Sequence, residues 1–146
     1  MKKVERTCAI AYSINLLGDK WSLLILRDVI LHKKSRFKEF TSSKENIATN
    51  ILANRLKFLV KEGFIELLDP EGFKKNKQYI ATARAFSALP IIMELYLFSI
   101  HSIDEAVLNE SQMGIKKEVL TDRKGFEKQR KKEYLEFVET LKTNKE

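Results

Sequence analysis

Asn50, Ala53, Asn54 and Lys57 stand at i, i+3, i+4 and i+7, so on a helix they share one face. An Asn side chain donates and accepts at once, which matches the N6 and N7 edge of an adenine in the major groove. Small Ala53 lets such a helix approach the groove floor or a thymine methyl. Asn50, Ala53 and Asn54 are therefore the candidate base readers. Thr49 at the start of the stretch, with Arg55, Lys57 and Lys61 along it, suits phosphate contacts that set orientation. Arg36 upstream and Lys74, Lys75 and Lys77 downstream extend the set of candidate phosphate-binding cations.

A face of this kind needs an apolar stripe behind it, and Ile51, Leu52, Leu56, Leu59 and Val60 supply one over residues 48–62, with Gly63 as the stop. Upstream, Ile10, Ala11, Ile14 and Leu17 keep helical spacing over residues 7–17 and end at Gly18. Asp19 then caps a helix over residues 20–31 that is apolar nearly all round and so belongs in the core, with Trp21 in the core or at an interface. Ser35 caps a short third helix docked by Phe37 and Phe40. Downstream, residues 64–68 and 77–81 read as strands around the turn Asp69-Pro70-Glu71-Gly72, with a basic tip.

Helices followed by a two-stranded hairpin is the order of a winged helix-turn-helix, mainly α with a small β-hairpin. Residues 84–109 predict a long helix with two apolar stripes, one holding Phe86, Leu89, Met93, Tyr96, Leu97 and Ile100, the other Ile92, Leu95 and Phe98. It must be covered on two sides. Gly114 separates a charged last segment in which Tyr134, Phe137, Val138 and Leu141 return to helical spacing. The expected organisation is a winged-helix core over 1–83, a long helix over 84–113 and a C-terminal helical extension over 114–146.

Composition narrows the function classes. With 146 residues, 44% of them hydrophobic, the chain suits one domain with a real core. Lys and Arg number 27 against 20 Asp and Glu, a net charge of +7 that favours polyanionic partners. The single cysteine, Cys8, excludes an intramolecular disulfide, and with only His32 and His101 it cannot build a usual zinc site. No metal or cofactor is expected, and a reducing cytoplasm is the default compartment. The most apolar run, 89–98, contains Glu94 and is too short to span a bilayer, so no membrane partner is expected. An enzyme would need Cys8 as nucleophile with His32 or His101 as base. The sequence shows neither an orienting partner nor a Gly-rich anion loop, so the chain reads as no enzyme. The remaining alternative is a winged-helix adaptor that binds another protein through its hairpin and tail.

Cys8, the run Leu16-Leu17-Gly18-Asp19-Lys20-Trp21-Ser22-Leu23-Leu24-Ile25-Leu26-Arg27, Arg36-Phe37-Lys38-Glu39-Phe40, residues 47–56 and Glu62-Gly63-Phe64-Ile65 follow one another in an order that resembles the HxlR-type regulators, relatives of the MarR group, over the first two-thirds of the chain. The resemblance implies a homodimer that binds double-stranded DNA and regulates transcription. Its interface would be formed by Ile10 and Ile14 of the first helix with Phe86, Leu89, Met93, Tyr96, Leu97 and Ile100 of the long one. Two recognition helices would then read a palindromic operator with half-sites about 34–36 Å apart. It also implies a redox- or electrophile-sensing role for Cys8, beside Lys2, Lys3 and Arg6, and an oxidant or small-molecule effector; with one Cys per chain the oxidised form is intermolecular or an adduct. The chain departs from the pattern at Ala48-Thr49, where relatives carry Ser-Pro, so that Asn46 becomes the expected cap. It departs again at Ala53, where they carry Thr, and at Thr82-Ala83-Arg84-Ala85.

Overall fold

The computed structural model describes residues 6–72, 77–108 and 110–144, residues 110 and 111 by backbone alone. The chain runs α1 (Ala9–Leu17), α2 (Ser22–His32), α3 (Phe37–Thr41), α4 (Thr49–Lys61), β1 (Ile65–Leu67), β2 (Tyr79–Ala81), α5 (Ala83–Ile100), a 3-10 turn (Glu105–Val107), α6 (Glu110–Thr121) and α7 (Arg123–Thr143). This is a winged helix-turn-helix with a C-terminal helical pair.

α2 is the central rod. Ile25, Leu26, Val29 and Ile30 are all buried, and the helix touches α5, α7 and β2. Asp19 caps it from one turn ahead: the Trp21 and Ser22 N–H groups donate to Asp19 Oδ2 at 3.0 and 2.9 Å, and the Ser22 hydroxyl donates to Oδ1 at 2.6 Å. Gly18 is required by contact, since a Cβ there would stand 2.3 Å from the Ile14 carbonyl oxygen. Gly63 is required by conformation, because it closes α4 with φ +78.

The hairpin is antiparallel, with Ile65 opposite Ala81 and Leu67 opposite Tyr79. Along β2 the N–H groups alternate. Thr82, just past the strand, donates inward to the Phe64 carbonyl at 3.0 Å, whereas Tyr79 and Ala81 donate away from β1. The Tyr79 N–H reaches the Ser35 carbonyl at 2.8 Å, and the Ala81 N–H reaches the Tyr134 hydroxyl oxygen at 2.8 Å. The far edge of the hairpin is thus closed partly by the segment before α3 and partly by α7.

Two expectations fail downstream of the hairpin. The long helix ends at Ile100, because Asp104 caps a new turn by accepting from the Ala106 N–H at 3.0 Å. Gly114 does not separate segments; it lies inside α6. The break falls at Asp122, whose carboxylate accepts from the Gly125 N–H and starts α7. α7 then folds back along α5, with Arg123 donating to the Pro90 carbonyl at 2.9 Å and pairing with Glu94, and with Tyr134 edge-on to Phe86 at 5.7 Å. The residues expected on its inward face, Tyr134 and Val138, are buried, and Phe137 and Leu141 pack beside them.

Among the described residues α5 is the one helix with the length and hydropathy of a membrane span. Ala85, Ala88, Leu89, Ile92, Met93 and Ile100 of that helix are buried within the chain itself.

Burial pushes the Tyr134 phenol up to about 12, although the Ala81 N–H bond pulls the other way. A phenol raised from its usual value near 10 stabilises the fold fully below pH ~10 and loses that contribution as pH climbs towards ~12. Tyr134→Phe leaves the Ala81 donor unpaired and should cost about 1–3 kcal/mol at neutral pH. It should also flatten the loss of stability between pH ~10 and ~12 relative to the parent chain. Urea unfolding of both proteins across that range measures both effects.

Candidate nucleic-acid interface

α4 follows a turn in which Asn46 adopts φ 55, a left-handed position that Asn tolerates well. Asn46 is therefore part of the turn and not the cap. Ala48 stands at the cap position, with no side-chain bond to the helix. Leu52, Leu56 and Leu59 anchor α4 inward at 0, 1 and 0% exposure, while Ile51 and Val60, expected in the same stripe, sit at its margins more than a third exposed. The opposite surface is as the spacing requires: Thr49, Asn50, Ala53, Asn54 and Lys57 are all exposed.

The candidate phosphate contacts divide into two groups. Arg36 is exposed at the start of α3 and forms an isolated bridge with Gln78, next to exposed Lys77, so α3 and the root of the hairpin lie side by side. Ser35 is not the cap of α3. It is buried and donates through its hydroxyl to Gln78 at 2.8 Å, while Glu39 reaches back to accept from the Ser35 and Arg36 N–H groups at 3.1 and 2.9 Å. Arg55 is engaged within the chain, 3.6 Å from Asp19 and stacked over Phe58 at 4.6 Å. Desolvation pushes the Asp19 carboxyl up. Its bonds from Ser22 and Trp21, together with Arg55, outweigh that and hold it below the ordinary range. Lys74 and Lys75 lie outside the described residues, as do Lys2 and Lys3 near Cys8.

The position of α4 is governed by a cluster that the motif reading did not identify. Asp28, 4% exposed on α2, accepts from Arg27 Nε and Nη2 at 3.0 and 2.8 Å and from the Ser43 hydroxyl. Arg27 Nη2 also donates to Glu45 at 2.6 Å, and Lys34 donates to Ser43 at 2.6 Å. Desolvation favours the uncharged form of Arg27, but the bonds to Glu45 and Asp28 outweigh it and hold its pKa above the ordinary value. Ser43 and Glu45 belong to the turn between α3 and α4, so one buried carboxylate and one guanidinium fasten that turn to the central helix. The available signal was an Arg-Asp pair inside an otherwise apolar helix, where a charge must find partners.

The α5 residues expected at a dimer interface are largely committed elsewhere. Leu89, Met93 and Ile100 are buried in the chain's own core, and Phe86 packs on Tyr134, because α2 and α7 occupy that side of α5. Tyr96 and Leu97 are half-buried. The apolar surface left open on α5 is Ile91, Leu95 and Phe98, the last 85% exposed; on α1, Ile10 and Ile14 are open as expected, at 71 and 61%. Cys8 is exposed at the start of α1, and the backbone N–H groups of Ala11 and Ile10 hold its thiol below the ordinary range, a cause independent of neighbouring lysines. Among the described residues no group of His, Cys, Asp and Glu is arranged to hold a metal ion.

Removing Asp28 takes away the buried acceptor of three hydrogen bonds, two from Arg27 and one from Ser43, while Arg27 keeps its bond to Glu45. Asp28→Ala should therefore lower stability by about 1–3 kcal/mol in urea unfolding, and Glu45→Ala, at the more exposed end of the cluster, should cost less.

The family model of HxlR-like helix-turn-helix proteins matches residues 16–107. The HTH-type transcriptional regulator BH0655 of Halalkalibacterium halodurans is 27% identical over 95 residues, covering 65% of this chain and 83% of that protein. Among solved structures, the candidate transcription factor PA1607 superposes with a TM-score of 0.61 at 27% identity, over 73% of this chain and 72% of the other. The reduced form of the transcriptional regulator YodB from B. subtilis gives 0.52 at 25%, over 68 and 97%. With the winged architecture, the exposed polar face of α4 and these matches together, the chain belongs to the HxlR-like helix-turn-helix family of transcriptional regulators, which are not enzymes.

Proposed function

We propose that the chain is a homodimeric regulator that works in the cytoplasm, reads a palindromic operator through α4 and responds to oxidants through Cys8. The observation that carries the DNA reading is the exposed Asn50, Ala53, Asn54 and Lys57 surface on a helix whose other side is anchored by Leu52, Leu56 and Leu59. Asn50 and Asn54 read adenine edges. Thr49, Arg36, Lys57 and Lys77 hold phosphates, with Arg55 divided between that task and its pairing to Asp19.

Homodimerisation is supported by exposed Ile10 and Ile14 on α1 and Ile91, Leu95 and Phe98 on α5, apolar surface that a second copy would cover. A symmetric pair places two α4 helices on one duplex and so requires an inverted repeat. Oxidant sensing is supported by the exposed Cys8 with its lowered thiol, and YodB, the similar regulator, is known in a reduced form. With one cysteine per chain, oxidation joins two chains or forms an adduct with a small thiol.

Selection of bound duplexes from a random pool identifies the operator, and failure to enrich any sequence would favour the adaptor reading. Against the selected site, Asn50→Ala and Asn54→Ala should each cost about 1–3 kcal/mol and relax preference at one base pair, with little change on random DNA. Equal losses on both would remove the base-reading role. Phe98→Glu should convert the dimer to a monomer by light scattering and lower operator affinity while leaving the melting transition of the fold in place. Cys8→Ser should bind the operator as well as the reduced parent chain and lose the response to diamide; a preserved response would place the sensing elsewhere.

A further inference from the structure

α2, the C-terminal half of α5 and the segment entering α6 leave a recess of about 250 Å³ between them. Its walls include Leu23 and Leu24 of α2, Ile92, Tyr96 and Ser99 of α5, and Leu108. Leu95 on its rim is shared with the α5 stripe that a second copy would cover. The Tyr96 hydroxyl donates to the Gln112 carbonyl at 3.0 Å, which pins the start of α6 across the opening. Leu108 and Gln112 lie past residue 107, so part of the enclosure is built by the segment that the family match does not reach.

The lining specifies the ligand. Most of it is aliphatic or aromatic, and an apolar cavity offers water too few partners to hold it well. Its size is at or below the lower end of drug-sized pockets, roughly 300 Å³, which suits a molecule of one or two rings. The charged residue on the wall is Arg27, and its guanidinium already faces two carboxylates, Asp28 and Glu45. An anionic ligand would meet a site whose cation is spent, so the fitting molecule is neutral. The Ser99 hydroxyl provides one polar group that can orient it.

Arg27 also connects this recess to α4. Its side chain lines the wall, and its guanidinium holds Glu45 in the turn that leads into the recognition helix. We propose that the recess binds a small, neutral, largely apolar effector, and that occupancy displaces Arg27 and loosens the turn ahead of α4. The ligand site stands on the cavity alone; the relay rests on the DNA-binding reading.

The probe is 1-naphthylamine, a neutral two-ring amine whose emission shifts to shorter wavelength in apolar surroundings, titrated into the full chain without DNA. Saturable binding of one molecule per chain is expected. Ser99→Phe and Leu24→Phe, which fill the recess from two different helices, should each weaken binding by about tenfold or more while circular dichroism shows the fold retained. Leu135→Lys, which removes an exposed apolar side chain of α7 outside the recess, should bind the probe as the parent does. Absence of saturable binding, as when a second copy fills the recess, overturns the site. So does binding that survives both filled variants or is lost in Leu135→Lys. Saturating probe should lower operator affinity by about fivefold or more in the parent and not in Ser99→Phe. An unchanged or increased affinity with probe bound overturns the relay, whereas failure of the DNA reading would appear already in the duplex selection without probe.

Discussion

A carboxylate taken out of water has to be answered by donors, and Asp28 is answered from three directions. Arg27 comes from the same helix, Lys34 from just beyond its end, and Ser43 from the turn before α4. Because α2 is locked in the core by Ile25, Leu26, Val29 and Ile30, whatever is fastened to Asp28 inherits that rigidity. α4 is therefore referenced to the core by polar bonds at its entrance and by Leu52, Leu56 and Leu59 along its length. The base-reading role proposed for its outer face would need that double restraint, since direct contacts tolerate little positional error.

The parts of the molecule legible in the sequence are those governed by local period. The order of helices and hairpin follows from spacing and stop signals. The outward set on α4 follows because Leu52, Leu56 and Leu59 can face only one way. The parts that were not legible depend on partners distant in the chain. α5 has two apolar stripes, and periodicity cannot say which one α7 will cover; the structure buries Leu89 and Met93 and leaves Leu95 and Phe98 open. Gly114 looked like a breaker, yet a helix tolerates a glycine at modest cost, and Asp122 was the real punctuation. Asp28 finds Ser43 fifteen positions away, a pairing that no short motif encodes.

The two open apolar surfaces differ in character. α1 is nearly all exposed, with only Leu17 buried, and a nine-residue helix with so little tertiary support is a weak structure by itself. α5 is rigid beneath its open stripe. A second copy that covers α1 would therefore order it as well as bury it, and Cys8, at the first turn of α1, would feel that ordering through the N–H groups of Ile10 and Ala11. Assembly and thiol reactivity would then be linked through one short helix.

The outward donors of β2 end on Ser35 and on Tyr134, so neither is offered to solvent. An open strand border is a template on which another chain can add itself, and small two-stranded sheets have little else to discourage it. Here Ser35 stops one end of that border and the last helix stops the other. Shortening the chain to residues 16–107, the part that the family model matches, would bare the Ala81 donor alone and leave half of the border as a place where another strand could add itself.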